Sequence, residues 1–137
     1  MNDYWLAATI GAGTGVLVLA SFAFMPKAMR APQGVLIFNV MLWIYVGAQL
    51  ASGTLDHIIA ESVFALVAGG AAQAMTLKWP PSVGIAILFH GAYDAIMGPH
   101  TGVAEWYPPL CAGFDLLVGV GLTALLVRDL RNADTAA

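Results

Sequence analysis

Apolar residues run along the chain in five long stretches, spanning residues 4–24, 34–51, 55–77, 82–97 and 109–127. None alternates with polar residues as a half-buried strand would, and each is long enough to be read as a helix. Turn-forming residues separate them: Pro26 and Pro32, then Ser52-Gly53, then Pro80-Pro81, then the segment from Gly98-Pro99 to Pro108-Pro109. Proline resists helix interiors but suits the first turn, so Pro80-Pro81 and Pro108-Pro109 mark helix starts. Thr54 or Asp56 is placed to cap the third helix. A membrane-crossing helix needs roughly 20 apolar residues. The pattern therefore predicts an all-α polytopic membrane bundle, with residues 1–137 forming one domain of five transmembrane helices.

Composition sharpens this reading. Hydrophobic residues make up 60% of the chain and charged residues 9%, against about 25% charged in soluble domains. A surface so poor in charge needs lipid as its solvent. The net charge is −3, and without a basic face nucleic acid is excluded as a partner. The residues before the first apolar run are Met1, Asn2 and Asp3. They lack the basic start of a cleaved signal peptide, so the first helix is expected to be retained. The single cysteine, Cys111, allows no internal disulfide.

Charge also orients the helices. The basic residues are Lys27, Arg30, Lys78, Arg128 and Arg131. With five spans all of them fall on one side, as the positive-inside rule requires; with four, Arg128 and Arg131 are stranded outside. This predicts an N-terminus outside and a C-terminus in the cytoplasm of a multi-pass protein of the cell membrane, the inner membrane in a bacterium. Tyr4, Trp5, Trp79, Trp106 and Tyr107 fall at the expected interfaces, where aromatic anchors collect. Only Trp43 lies clearly mid-span.

Ionisable residues inside spans are costly and are functional candidates by default. His57 and Glu61, His90 and Asp94, Cys111 and Asp115, and Tyr45 and Gln49 are each separated by four positions. That spacing puts both members of a pair on one helix face. At 1.5 Å per residue, Glu61, Asp94, His90 and Asp115 lie about 5–11 Å below the outer ends of their helices. The inner half holds Asn39 and Gln73 as its main polar side chains. The expectation is one polar pocket among helices two to five, opening outward beneath the loop 98–108.

Three chemistries compete for this pocket. Carboxylates and imidazoles in a low-dielectric site acquire separated proton affinities, which supplies an acid and a base for isomerisation, cyclisation or hydrolysis of a lipophilic substrate. Glu61, His90, Asp94 and Asp115 are the catalytic candidates. His57, His100, Trp106, Tyr107, Tyr45, Gln49 and Cys111 are the substrate-binding candidates. A divalent metal is the second reading, with His57, Glu61, His90 and Asp94 as ligands; no HExxH or CxxC motif supports it, and the cofactor stays open. The third reading is a non-catalytic transporter-like or assembly component, weakened by the lack of protonatable groups in the inner half. Gly11 and Gly15 form a GxxxG pair on the first helix, suited to close packing within the chain or to a homo-oligomer.

The stretch from His90 to Asp115 reads H-G-A-Y-D, then P-H, then W-Y-P-P-L-C-A-G-F-D. It resembles a family of small bacterial and fungal integral membrane proteins of unknown function. The resemblance covers His90, Asp94, Trp106, Tyr107, Pro108, Cys111 and Asp115. It implies a multi-helix fold and a shared polar motif, and it carries no activity.

Overall fold

A computed structural model describes residues 3–135. It contains five α-helices: α1 (Asp3–Phe24), α2 (Lys27–Ser52), α3 (Leu55–Lys78), α4 (Ser82–Ile96) and α5 (Tyr107–Asp134), with a 3-10 turn at Gly98–His100. No strand occurs among the described residues. α1, α2, α3 and α5 are long and apolar enough to cross a membrane. α4 has 15 residues, about 22 Å of helix, short of a hydrocarbon core of about 30 Å.

Two helices extend past the apolar pattern. α2 begins at Lys27 rather than residue 34 and passes through Pro32. Hydrophobicity misplaces its start because Lys27, Arg30 and Gln33 are polar. Pro32 sits on the exposed side of the second turn, so the carbonyl it leaves unpaired faces outward. α5 continues past Val127 through Arg128, Asp129 and Arg131. The expected cap on α3 is only positional: Thr54 is the N-cap, but its side chain makes no capping bond.

Glycines set the packing directions. Gly11 meets Leu110, Gly15 meets Phe114 and Val118, and Gly121 meets Leu19, so α1 and α5 run parallel. Gly84 meets Gly119 and Thr123, while Gly91 meets Asp115, so α4 and α5 run antiparallel. Gly34 of α2 faces Leu122 of α5, and Gly69 of α3 faces Asn39 of α2. Consecutive helices therefore alternate in direction, and all five basic residues stand at one end of the bundle. The GxxxG face of α1 is occupied within the chain: Gly11 and Gly15 are buried against α5. An added Cβ at Gly11 would collide with the Leu110 carbonyl, so the pair serves close packing of α1 on α5.

Arg30 locks the basic end. It is buried, and its guanidinium reaches Asp129 of α5 at 2.6 Å, the Ala23 carbonyl at 3.0 Å and the Met25 carbonyl at 3.2 Å. The core above it is apolar, with Phe22, Phe38, Leu42, Val83, Ile87 and Leu122 at its centre. The outer surface is apolar too: Phe24 is 91% exposed, Leu77 83% and Phe89 73%. Exposed apolar surface on this scale calls for a partner phase rather than water.

Candidate functional site

At the opposite end, α4 and α5 bring His90, Asp94 and Asp115 together. The i, i+4 spacing puts His90 and Asp94 on one face of α4. Gly91 lets α5 approach that face, since a Cβ there would press on the Asp115 side chain. His90 Nδ1 lies 2.9 Å from Asp115 Oδ2 and 3.2 Å from Asp94 Oδ2. Only the contact with Asp115 has hydrogen-bonding geometry. Tyr45 of α2 donates its hydroxyl hydrogen to Asp94 Oδ1. All four residues are buried.

A carboxylate oxygen accepts, so the contact with Asp115 assigns the Nδ1 nitrogen as the protonated one. In the neutral ring the Nε2 nitrogen is then the acceptor. It has no hydrogen-bond partner, and neither do Asp94 Oδ2 and Asp115 Oδ1. Buried polar atoms are normally satisfied, so three orphans in one cluster call for a physical reason.

Two cavities flank the cluster. An apolar groove of about 340 Å³ lies between α2, α3 and α4, with His90 and Tyr93 at one end and Ser82 and Met75 at the other. Small residues make the space: Ala68, Ala71 and Ala72 on α3 face Ala86 on α4. A second pocket of about 280 Å³ reaches Asp94 from the loop end, lined by Tyr4, Val103, Glu105 and Pro108. Toward the basic end the cluster is sealed by Val83, Ile87, Val118 and Leu122, each 0% exposed.

The other sequence candidates are placed as follows. Glu61 is half-buried and stands outside the cluster, joined to it through Tyr93, whose hydroxyl donates to Glu61 Oε1 at 3.1 Å. His57 is exposed in the first turn of α3, away from the cluster. The expected metal quartet of His57, Glu61, His90 and Asp94 does not assemble, because α3 packs on α2 and turns its first residues outward. The one metal-capable group among the described residues is His90, Asp94 and Asp115, with ligand atoms within 4.8 Å of one another. Cys111 is buried one turn before Asp115 and faces Tyr107 and Asp94. Tyr107 packs inward, edge-on to Tyr45 at 6.1 Å, rather than acting as an interface anchor. Gln49 is buried and donates to the Thr101 carbonyl, which ties the loop to α2. Trp106 and His100 are exposed.

Tyr93 is a participant that spacing does not name. It stacks on Phe64 at 5.1 Å and separates Glu61 from His90. Its only sequence signal is its place inside H-G-A-Y-D. No known family model, curated protein or solved structure matches the chain.

Proposed function

We propose that the chain is a multi-pass cell-membrane protein, oriented with its basic end in the cytoplasm, and an enzyme that moves protons on a lipophilic substrate. The resemblance to the family of small membrane proteins belongs to this reading and leaves the reaction open. One observation carries the proposal: His90, which lines one end of a substrate-sized apolar groove, has a buried, unpartnered Nε2 nitrogen while its Nδ1 is held by Asp115. A carboxylate behind an imidazole fixes the tautomer and stabilises the imidazolium that forms when Nε2 accepts a proton. The proton leaves a substrate C–H or O–H for Nε2 and returns to another substrate atom, so no oxidant or reductant is required. Asp94, held by Tyr45, is the second carboxylate, reached from the loop-end pocket.

A proton relay across the bilayer is disfavoured by the apolar seal toward the basic end. A bound metal is a second reading, because ligand atoms of His90, Asp94 and Asp115 lie close enough to close on one cation.

The test uses His90→Asn. Asparagine keeps a donor near the Nδ1 position and removes Nε2. Lipid extracts from cells producing the wild-type chain should contain species that return to host levels with His90→Asn. Identical extracts from the two would sink the enzymatic reading.

A further inference from the structure

A third cavity, of about 430 Å³, opens between α2 and α3 toward the basic end of the bundle. Ala31, Pro32 and Val35 of α2 form one wall, and Gln73, Thr76 and Leu77 of α3 form the other. Its lips are Leu36 and Leu77, 55% and 83% exposed, so it opens sideways through the apolar surface. The polar groups inside it differ in what they have left to give. Thr76 donates to the Ala72 carbonyl at 2.7 Å, and Asn39 turns its amide onto the Val35 carbonyl at 2.9 Å. Gln73 is exposed on the α3 wall and bonds to no group among the described residues. An unpartnered amide is unfavourable in hydrocarbon, so this side chain calls for a partner from outside the chain.

Positive charge stands just beyond the cavity. Lys27 lies one turn before Ala31 on the same face of α2, and Lys78 follows Leu77 at the end of α3. Both are exposed, and neither pairs with a carboxylate among the described residues. The carboxylates of this end, Asp129 and Asp134, are on α5, and Asp129 is held by Arg30. Lys78 also stands one turn beyond Met75, at the far end of the groove that His90 lines, but only the α2–α3 cavity adds a second lysine and a free amide. Gln73 precedes Lys78 by five positions, about 7.5 Å deeper along the helix. Cations at the mouth, an amide one and a half turns deeper and an apolar wall beyond it match the phosphate, ester carbonyls and acyl chain of a glycerophospholipid. A second copy fits less well. Two copies in one membrane meet about an axis along the bilayer normal, which would set Lys27 and Lys78 of one against the same pair of the other.

We infer that the α2–α3 cavity seats one anionic glycerophospholipid from the leaflet at the basic end, with its phosphate at Lys27 and Lys78, an ester carbonyl on the Gln73 amide and a chain along Val35 and Leu36. This rests on the membrane reading of the chain and is independent of the chemistry at His90.

The probes are palmitoyl-oleoyl phosphatidylglycerol, the matching phosphatidylethanolamine and glycerol 3-phosphate, each titrated into the purified full chain in neutral detergent and read by native mass spectrometry. Phosphatidylglycerol should bind one-to-one and about tenfold tighter than phosphatidylethanolamine, and glycerol 3-phosphate should not bind over the same range. Lys27→Gln with Lys78→Gln should narrow the preference to about twofold. Arg128→Gln with Arg131→Gln removes the same charge from α5 and should leave the preference unchanged. Gln73→Leu, at an exposed position, should weaken both phospholipids about fivefold and leave the circular dichroism spectrum unchanged. Equal binding of the two lipids, an arginine pair that matters as much as the lysine pair, or binding indifferent to Gln73→Leu would overturn the inference. So would glycerol 3-phosphate binding as tightly as the lipid, which would make a soluble phosphate the ligand, or a dimer lost on Gln73→Leu, which would make a second copy the occupant. His90→Asn should bind both lipids as the wild type does, so this inference and the catalytic reading fail separately.

Discussion

One imidazole between two carboxylates, all buried, holds together because each contact has a defined polarity. The Nδ1–H of His90 points at Asp115, and the hydroxyl of Tyr45 points at Asp94. Removing that hydroxyl leaves a buried carboxylate oxygen without its donor, and such a loss costs about 1–3 kcal/mol. Tyr45→Phe should therefore lower the thermal unfolding midpoint in detergent. In Tyr45→Phe combined with Asp94→Leu the two losses should be less than additive, and strict additivity would show that the pair is not coupled. The same polarity decides between proton and metal. A cation bound through Nδ1 must displace its proton, so its affinity should fall as pH is lowered. With an acceptor 2.9 Å from that nitrogen, a proton is the simpler occupant. Elemental analysis of protein purified without chelator is expected to find no stoichiometric metal. A one-to-one metal lost in His90→Ala would reverse this. The pairing of His90 with Asp94 was legible in the sequence because spacing along one helix fixes a shared face. Asp115 was expected in the same cluster; that Glu61 stands outside it was not legible, since spacing within α3 says nothing of how α3 is rotated against its neighbours.

At the scale of helices, the cluster depends on how closely α4 approaches α5. Gly84 and Gly119 bring the two backbones together, and Gly91 makes room for Asp115. A side chain at Gly119 would meet the Gly84 carbonyl and Leu88, whereas one at Gly47 would meet nothing. Gly119→Leu should thus destabilise the protein by about 1–3 kcal/mol or more, as overpacking of a close interface does, and should abolish the lipid change attributed to His90. Gly47→Leu should leave both untouched. Equal tolerance at the two positions, read by thermal unfolding, would contradict this packing. The existence of five helices was readable from apolar run length and proline breaks. Their ends were not: the polar turns of α2 and α5 carry the helix beyond the apolar slab, where hydrophobicity gives no signal. The Arg30–Asp129 pair that joins those overhanging turns is 99 positions apart in sequence, and no local pattern announces such a contact.

For the whole molecule, the alternating helix directions have one consequence that charge alone had suggested. They gather Lys27, Arg30, Lys78, Arg128 and Arg131 at one end and leave the other with carboxylates and imidazoles. Membrane insertion retains such an end in the cytoplasm. The difficulty is α4, whose 15 residues are too few to cross a bilayer unaided. Its ends are extended by the Pro80-Pro81 turn and by the 3-10 turn at Gly98–His100, and its polar residues face α2 and α5 rather than outward. A short helix flanked by longer ones crosses because its neighbours shield it, and the bilayer can thin locally to match. The expected outcome is an alkaline phosphatase fusion inactive at the C-terminus but active in the loop 98–106, with a green fluorescent protein fusion at the C-terminus bright. Arg30 at the start of α2 holds Asp129 near the end of α5, so both lie on one side of the bilayer and α4 must cross to bring the chain back. A phosphatase active at the C-terminus would overturn this orientation and put the loop-end pocket on the cytoplasmic side.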